Sequence, residues 1–528
     1  MPWETYEREI AAYTEQAGLP ATPQGIVAAL RERLAAMAES VDAAFPDNEH
    51  VEIMNGEPVL KRLRNKPEPA GAADLERQLK ERLAPVDLVD ALADTEHWLN
   101  WARHFGPISG FDARIERPQE RYLATVFCYG CKLGRSQAAR SMKDLDRRQI
   151  AFLNQRHITE DALDAAIATV IDAYASFDLP RHWGAGRSAS ADGTQWDLHP
   201  QSLMSEYHIR YGGYGGIGYY LVSDTYIALF SRFIACGAWE GNHILDFVTE
   251  SRSALQPDTL HADTQGQSAP IFGLAHLLGI QLMPRIRNWQ DLHFYRPDKA
   301  SLYEHIDTLF TATVDWALIE TLLPDMQRVA LSVRAGRIRP SAILRRLGTY
   351  SRKNKLYFAF RELGRVVRTI FLLNFLSSLE LRHLIQAATN KSELFNKYAQ
   401  WTAFGESGLV SEGVRDEQRK LIKYNHLVSN LLIFHTIASM TRALDQMAIE
   451  EIAVDADALA NLSPYQTEHI NRFGHYTLNF ARVPAPLPSQ IAVPSSAIRG
   501  ALRGHFGSGC PSACRCVNFT QLGVPFVI

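Results

Sequence analysis

The sequence predicts an α/β protein in which a mixed sheet covered by helices is flanked by mostly α-helical regions. Three observations carry that prediction. Apolar residues recur at helical spacing through the Ala/Leu/Glu/Arg-rich stretches 24–44 and 73–104. At 181–224 the pattern changes to short alternating runs separated by Gly-Gly pairs. From 225 to 286 strand-like and helix-like segments alternate, and from about 300 to 480 the periodicity is helical again.

The elements follow in order. Pro-rich or Gly-containing breaks at 46–58 and 65–72 separate the first helices, and further helices are predicted at 134–142, 144–154 and 159–176, the last capped by Thr159. Alternation predicts strands at Ser188–Asp192, Ser205–Tyr211 and Gly218–Ser223. A strand at 225–235, a helix at 239–252, a strand at 258–262, a helix at 268–278 and a strand at 280–286 complete the sheet region. The glycine run 212–218 lacks the Lys-Ser/Thr of a phosphate loop and is read as a hairpin turn. After Pro484 the periodicity ends, and Pro486, Pro488 and Pro494 lead into a Gly/Cys-rich tail. The expected divisions are therefore 1–180, 181–295, 296–385, 386–484 and 485–528: helical start, first part of the sheet domain, helical basic insertion, remainder of that domain, and irregular tail.

Of the 528 residues 46% are apolar and 21% charged, which excludes wholesale disorder and a collagen-like chain. Six cysteines are too few for a disulfide framework at this length, and no signal peptide opens the chain, so a cytoplasmic location is expected. The apolar runs near 369–377 and 427–440 are too short or too polar to span a bilayer, so no membrane is expected. Cys510, Cys514 and Cys516 lack the further ligands of a zinc site, and the CxxC of Cys128 and Cys131, read as lying between helices, is discounted as a redox pair. The net charge of −3 hides an uneven distribution. Residues 1–100 hold 10 Lys+Arg against 19 Asp+Glu, whereas 331–400 hold 14 against 3. The basic residues of that block include Arg334, Arg337, Arg339, Arg345, Arg346, Arg352, Lys353, Lys355, Arg361, Arg365 and Arg368. Interleaved with apolar residues, they describe a structured surface able to neutralise phosphates, or else a solvated helix face.

Two carboxylates draw attention. Asp192 ends a strand-like Ser188-Ala189-Ser190-Ala191 and precedes Gly193; Asp263 ends Thr259-Leu260-His261-Ala262 and precedes Thr264-Gln265-Gly266. Carboxylates at strand ends can share a cleft and hold Mg²⁺, or can bond their own turn amides. Around them the sequence resembles the Tn-three family of transposases, the replicative DDE enzymes of bacterial class-two transposons. The resemblance runs in order through Trp183-Gly184-Ala185-Gly186, Ser190-Ala191-Asp192-Gly193, Gly218-Tyr219-Tyr220, Ser223-Asp224 and the Asp263–Gly266 segment. It is densest in Phe272-Gly273-Leu274-Ala275-His276-Leu277-Leu278-Gly279 and Pro284-Arg285-Ile286-Arg287, and continues through Gly364-Arg365, Arg368-Thr369, Asn390-Lys391-Ser392-Glu393 and Leu462-Ser463-Pro464 to Tyr476.

The resemblance implies a ribonuclease H-like fold with a large helical insertion, and three catalytic, metal-binding carboxylates: Asp192, Asp263 and Glu393. Read alone, Glu393 would be a helix-surface residue beside Lys397. It implies a DDE-type polynucleotidyl transferase using Mg²⁺, with Mn²⁺ as a substitute, whose two ions sit about 4 Å apart to clamp both reacting oxygens. Arg285, Arg287, Arg365 and Arg368 are then candidate phosphate contacts, with helix-surface ion pairing as the alternative; Asp224 and Asp246 are assigned structural bonds. The expected partners are transposon-end and target DNA, with a homodimer plausible from end pairing and a bacterial, nucleoid-associated location. Relatives are nearly twice as long, so an N-terminally truncated chain is expected. The alternative is a catalytically defective relic that only binds DNA.

Overall fold

The computed structural model describes residues 1–488 apart from 65–66, 111–114, 142–145, 199–201, 203–204, 209–211, 350–353, 406–414 and 475. Arg352, Lys353, Cys510, Cys514 and Cys516 lie outside the described residues. The centre is a six-stranded mixed sheet. Its strands are β1 (Ser188–Asp197), β2 (Glu206–His208), β3 (Gly213–Ser223), β4 (Ala228–Ala235), β5 (Thr259–Ala262) and β6 (Gln281–Pro284). β3 pairs antiparallel with β1 on one side and with β2 and β4 on the other. β5 then pairs parallel with β1, and β6 parallel with β5.

The glycine run corrects the sequence reading. Gly213–Gly218 is not a hairpin turn but the first half of β3. A Cβ on Gly216 would overlap the Phe233 ring, and one on Gly218 the Trp196 indole, so large neighbours fill the space the glycines leave. The turn conformation belongs to Gly212, at φ +68°. The predicted helix at 239–252 is likewise broken into a 3₁₀ turn, Glu240–His243, and one helical turn, Phe247–Glu250. Between them Asp246 is fully buried and pairs with Arg232 and His243 while accepting from Ser341 N at 2.9 Å. Its side chain is thus committed to tertiary bonds.

α1 (Ala269–Leu277), α4 (Leu379–Thr402) and α5 (Arg415–Ile449) pack on the sheet, while α2 (Trp316–Arg334) and α3 (Lys355–Ser377) pack on α1 and on each other. Residues 285–378, between β6 and α4, carry α2, α3, the short helix Pro340–Thr349, and a parallel strand pair, Phe294–Arg296 with Phe310–Thr313. α1 and α3 cross with their backbones almost touching. By length and composition α5 could cross a membrane, but it is the main core helix: Leu427, Val428, Leu431 and Leu432 are all buried. Several of its buried polar residues bond to the sheet: Asn425 Oδ1 accepts from the Tyr220 hydroxyl at 3.2 Å and His426 lies against Ser231 Oγ at 2.9 Å.

The N-terminal region is helical as predicted. Pro23–Ala44, capped by Thr22, buries Ile26, Leu30, Leu34, Ala38 and Val41 along one face against α3. A small hairpin, Val51–Met54 with Glu57–Leu60, occupies the break at 46–58. Thr159 accepts from Ala162 N at 3.0 Å and caps the helix Glu160–Tyr174. Cys128 lies inside a helix the sequence reading missed, Pro118–Gly130, and both Cys128 and Cys131 are buried.

Candidate active site

Register places the two aspartates. Ala191 on β1 is paired with Ala262 on β5, so the next residues, Asp192 and Asp263, stand abreast on neighbouring parallel strands. Ala262 is paired with Pro284 on β6, which puts Arg285 on the other flank of Asp263. Asp263 leaves the strand as the N-cap of a 3₁₀ turn, Thr264–Gln267, its Oδ1 accepting from Gln265 N at 2.9 Å. Its remaining carboxylate oxygen is not used by that cap.

α4 brings the third carboxylate. Three contacts run in step along β1 and α4: Ser190 Oγ with Ser392 Oγ at 3.0 Å, Asn396 Nδ2 donating to Asp192 Oδ2 at 2.8 Å, and Gln400 Nε2 donating to Thr194 Oγ1 at 2.7 Å. Two strand residues advance about 6.6 Å and four helix residues about 6 Å, so the rungs stay matched. Lys391 locks the register, donating to the carbonyls of Trp183 at 2.9 Å and Asp224 at 2.6 Å; burial lowers its ammonium to about 8. Glu393 follows on the face toward Asp192. It is half exposed, with Oε1 4.0 Å from Arg285 Nη1.

Sequence reading missed a fourth carboxylate. Glu240 accepts from Gln265 Nε2 at 3.2 Å, and its carboxylate fills the space a Cβ on Gly193 would need. Nothing in the local sequence marks it, because it enters through a 3₁₀ turn that reads as a helix start. Burial, then the charges of Asp263, Glu240 and Glu393, push the Asp192 carboxyl up to about 7. Asp192, Asp263 and Glu393 therefore converge on one electrostatically coupled site. The glutamates nearest to Glu393 on the helices before it are engaged elsewhere: Glu362 accepts from Asp315 N at 3.0 Å and Glu380 from Ser378 Oγ at 3.3 Å.

The basic residues divide. Arg285 is at the site and Arg287 is exposed two residues on. Arg365 pairs with Glu362 at 2.7 Å and lies over the Tyr295 ring. Arg368 is 9% exposed and donates to the Gln267 carbonyl at 3.0 Å, bracing the turn that carries Asp263. Among the described residues no three Asp, Glu, His or Cys side chains are grouped closely enough to hold a metal ion as they stand. The donors are nevertheless hard carboxylate oxygens in an open arrangement, and the charge crowded around Asp192 is the kind a divalent cation relieves. The residues fit such an ion.

Residues 90–476 match the family model for the Tn3 transposase DDE domain. The chain belongs to the Tn3 transposase family. Its relatives include the transposase for transposon Tn1546 of Enterococcus faecium, 30% identical over 82% of this chain and 44% of that protein. The transposase for transposon Tn501 of Pseudomonas aeruginosa is 29% identical over 78% and 42%, and that of transposon gamma-delta of Escherichia coli K12 is 28% identical over 83% and 44%. The chain thus spans less than half the length of these Tn3-family relatives, and the matched part contains every candidate carboxylate.

Proposed function

We propose that this chain is the catalytic region of a DDE transposase, which cuts DNA at transposon ends and joins the freed 3′-hydroxyl to target DNA with Mg²⁺. The observation that carries the reading is the convergence of Asp192, Asp263 and Glu393, from three separate elements, around one charge-coupled carboxylate. The sheet supports a ribonuclease H-like fold: three antiparallel strands followed by two parallel to the first, in the order β4–β3–β1–β5–β6.

In this reading Asp192, Asp263 and Glu393 hold the cation. When bound, it supplies charge neutralisation and polarisation at the phosphodiester. The protein's own residues position the reactants. Gln265 N fixes one oxygen of Asp263, Asn396 and Gly193 N fix those of Asp192, and Arg285 offers a guanidinium to the developing phosphoryl charge. Little covalent chemistry falls to the protein, so catalysis lies in positioning and electrostatics. Two chains pairing two ends would make the working unit a homodimer.

The test is incubation of the purified chain with duplex DNA carrying Tn3-family transposon ends and Mg²⁺ or Mn²⁺. Nicking and joining are expected, lost in Asp263→Ala with DNA binding retained. Equal activity in Asp263→Ala overturns the catalytic assignment. Binding without cleavage by the unaltered chain selects the relic reading instead.

A further inference from the structure

Asn396 is 6% exposed and donates through Nδ2 to Asp192 Oδ2 at 2.8 Å. The other oxygen of Asp192 accepts from Gly193 N at 3.0 Å. Both bonds come from neutral donors, so they orient the carboxylate while leaving its charge and its other lone pairs available. A Lys or Arg at 396 would make a stronger bond but would itself supply the positive charge.

The far side of the same amide points to function over stability. Asn396 Oδ1 is buried with no hydrogen-bond partner among the described residues. An orphaned buried acceptor costs about 1–3 kcal/mol, and an apolar side chain of similar volume would avoid it. Turning the amide over would set its oxygen against the carboxylate, so the orphan follows from keeping the donor on Asp192. Asn396 also lies one turn beyond Glu393 on α4, so this bond helps fix how far Glu393 stands from Asp192.

We propose that Asn396 is a positioning residue which holds the Asp192 carboxylate in the orientation that receives a divalent cation. The proposal rests on the reading of Asp192, Asp263 and Glu393 as a metal-binding centre. It belongs to the shell of groups that orient ligands, whose loss elsewhere weakens metal affinity by roughly 10–100-fold.

The experiment is calorimetric binding of MnCl₂ to the whole chain without DNA, with melting temperature measured with and without the metal. Asn396→Leu keeps volume and removes the donor; Asn396→Ala serves if the leucine variant does not fold. Gln400→Ala breaks the neighbouring rung to Thr194 and controls for general loosening of α4 on β1. Expected are roughly 10–100-fold weaker Mn²⁺ binding in the Asn396 variants, a smaller metal-induced rise in melting temperature, and unchanged affinity in Gln400→Ala. Wild-type affinity in a folded Asn396 variant, with binding lost in Asp192→Ala, overturns the proposal alone. Equal weakening in Gln400→Ala also overturns it. If Asp192→Ala binds Mn²⁺ like the wild type, the metal-centre reading fails and this role falls with it.

Discussion

Gly364→Ala is the sharpest test of how the site is held. A Cβ built on Gly364 of α3 falls 1.6 Å from the carbonyl oxygen of Ala269, at the start of α1. Facing it, a Cβ on Gly273 would lie 2.5 Å from the Phe360 carbonyl oxygen and 3.2 Å from Gly364 N. The obstacle is backbone on both helices, so no side chain can rotate out of the way. To restore ordinary contact, α1 and α3 must part by roughly 1.5 Å, which forfeits dispersion along the crossing. Overpacking of this kind costs about 1–3 kcal/mol and more where backbone must move. Alanine's better helix propensity returns about 1 kcal/mol. The net expectation is a loss of at least ~2 kcal/mol. The damage should also reach the chemistry, because α1 begins two residues after the Asp263 turn and Arg368, one turn along α3, holds Gln267 of that turn. A 1 Å misplacement is enough for a rate loss on the order of 10²-fold. Urea unfolding followed by fluorescence, beside Gly106→Ala as a control with open space around it, measures the first effect. A Gly364→Ala protein no less stable than Gly106→Ala refutes the crossing geometry.

Other residues give independent checks. Burial pushes the Glu96 carboxyl up to about 7, although Ala102 N donates to Oε2 at 2.9 Å; among the described residues Oε1 has no hydrogen-bond partner. The folded state therefore keeps a proton that the unfolded chain loses near its ordinary pKa. Stability is full below about pH 4.5 and falls, by roughly 3 kcal/mol in all, as pH rises to about 7. Glu96→Gln should flatten that slope and be the more stable protein at pH 8; thermal melts across pH 4–8 test it, and an unchanged slope counts against it. Arg287→Ala should weaken DNA binding and lower the slope of log K against log salt by about 1. Arg368→Met should lower the melting temperature while leaving that slope alone, and the reverse pattern would exchange their roles. Glu240→Gln removes one of the charges that raise Asp192, so it should stabilise the metal-free protein at pH 8; a destabilised variant would show that Glu240 serves packing through Gln265.

What the sequence made legible follows the range of the forces involved. The runs leading to Asp192 and Ala262, and the helix beginning near Ala269, follow from local pattern and were readable, but β1 does not end at Asp192 as expected and continues to Asp197 in its pairing with β3. The glycine run was misread because the reason for it, Phe233 and Trp196 filling the missing Cβ positions, lies across the sheet. Pattern alone also failed at 239–252, where the bonds of Asp246 to Arg232 and Ser341 override helix propensity. Glu393 could be picked out only by resemblance, since the groups it acts on, Asp192 and Arg285, lie 201 and 108 residues away in sequence. Asn396 and Glu240 carried no local signal at all; a strand–helix register has to be known before either can be placed.

Two aspartates in this region show that the charge at the site is a choice of partners and not a consequence of burial alone. Asp246 is fully buried, yet its carboxyl is held below the usual range despite that burial, by His243, Arg232 and the Ser341 amide. Asp192 keeps some solvent access, and its carboxyl rises to about 7 through burial first and then through the charges of Asp263, Glu240 and Glu393, with only an Asn side chain and a backbone amide as its donors. A fold selected only for stability would pair Asp192 as it pairs Asp246, since the unpaired arrangement works against folding as pH rises. The arginine nearest the cluster, Arg285, instead stands 4.0 Å from the exposed Glu393. Negative charge is therefore crowded around Asp192, which the parallel register places abreast of Asp263, and in the proposed reading this is where a divalent cation and a phosphodiester would meet it.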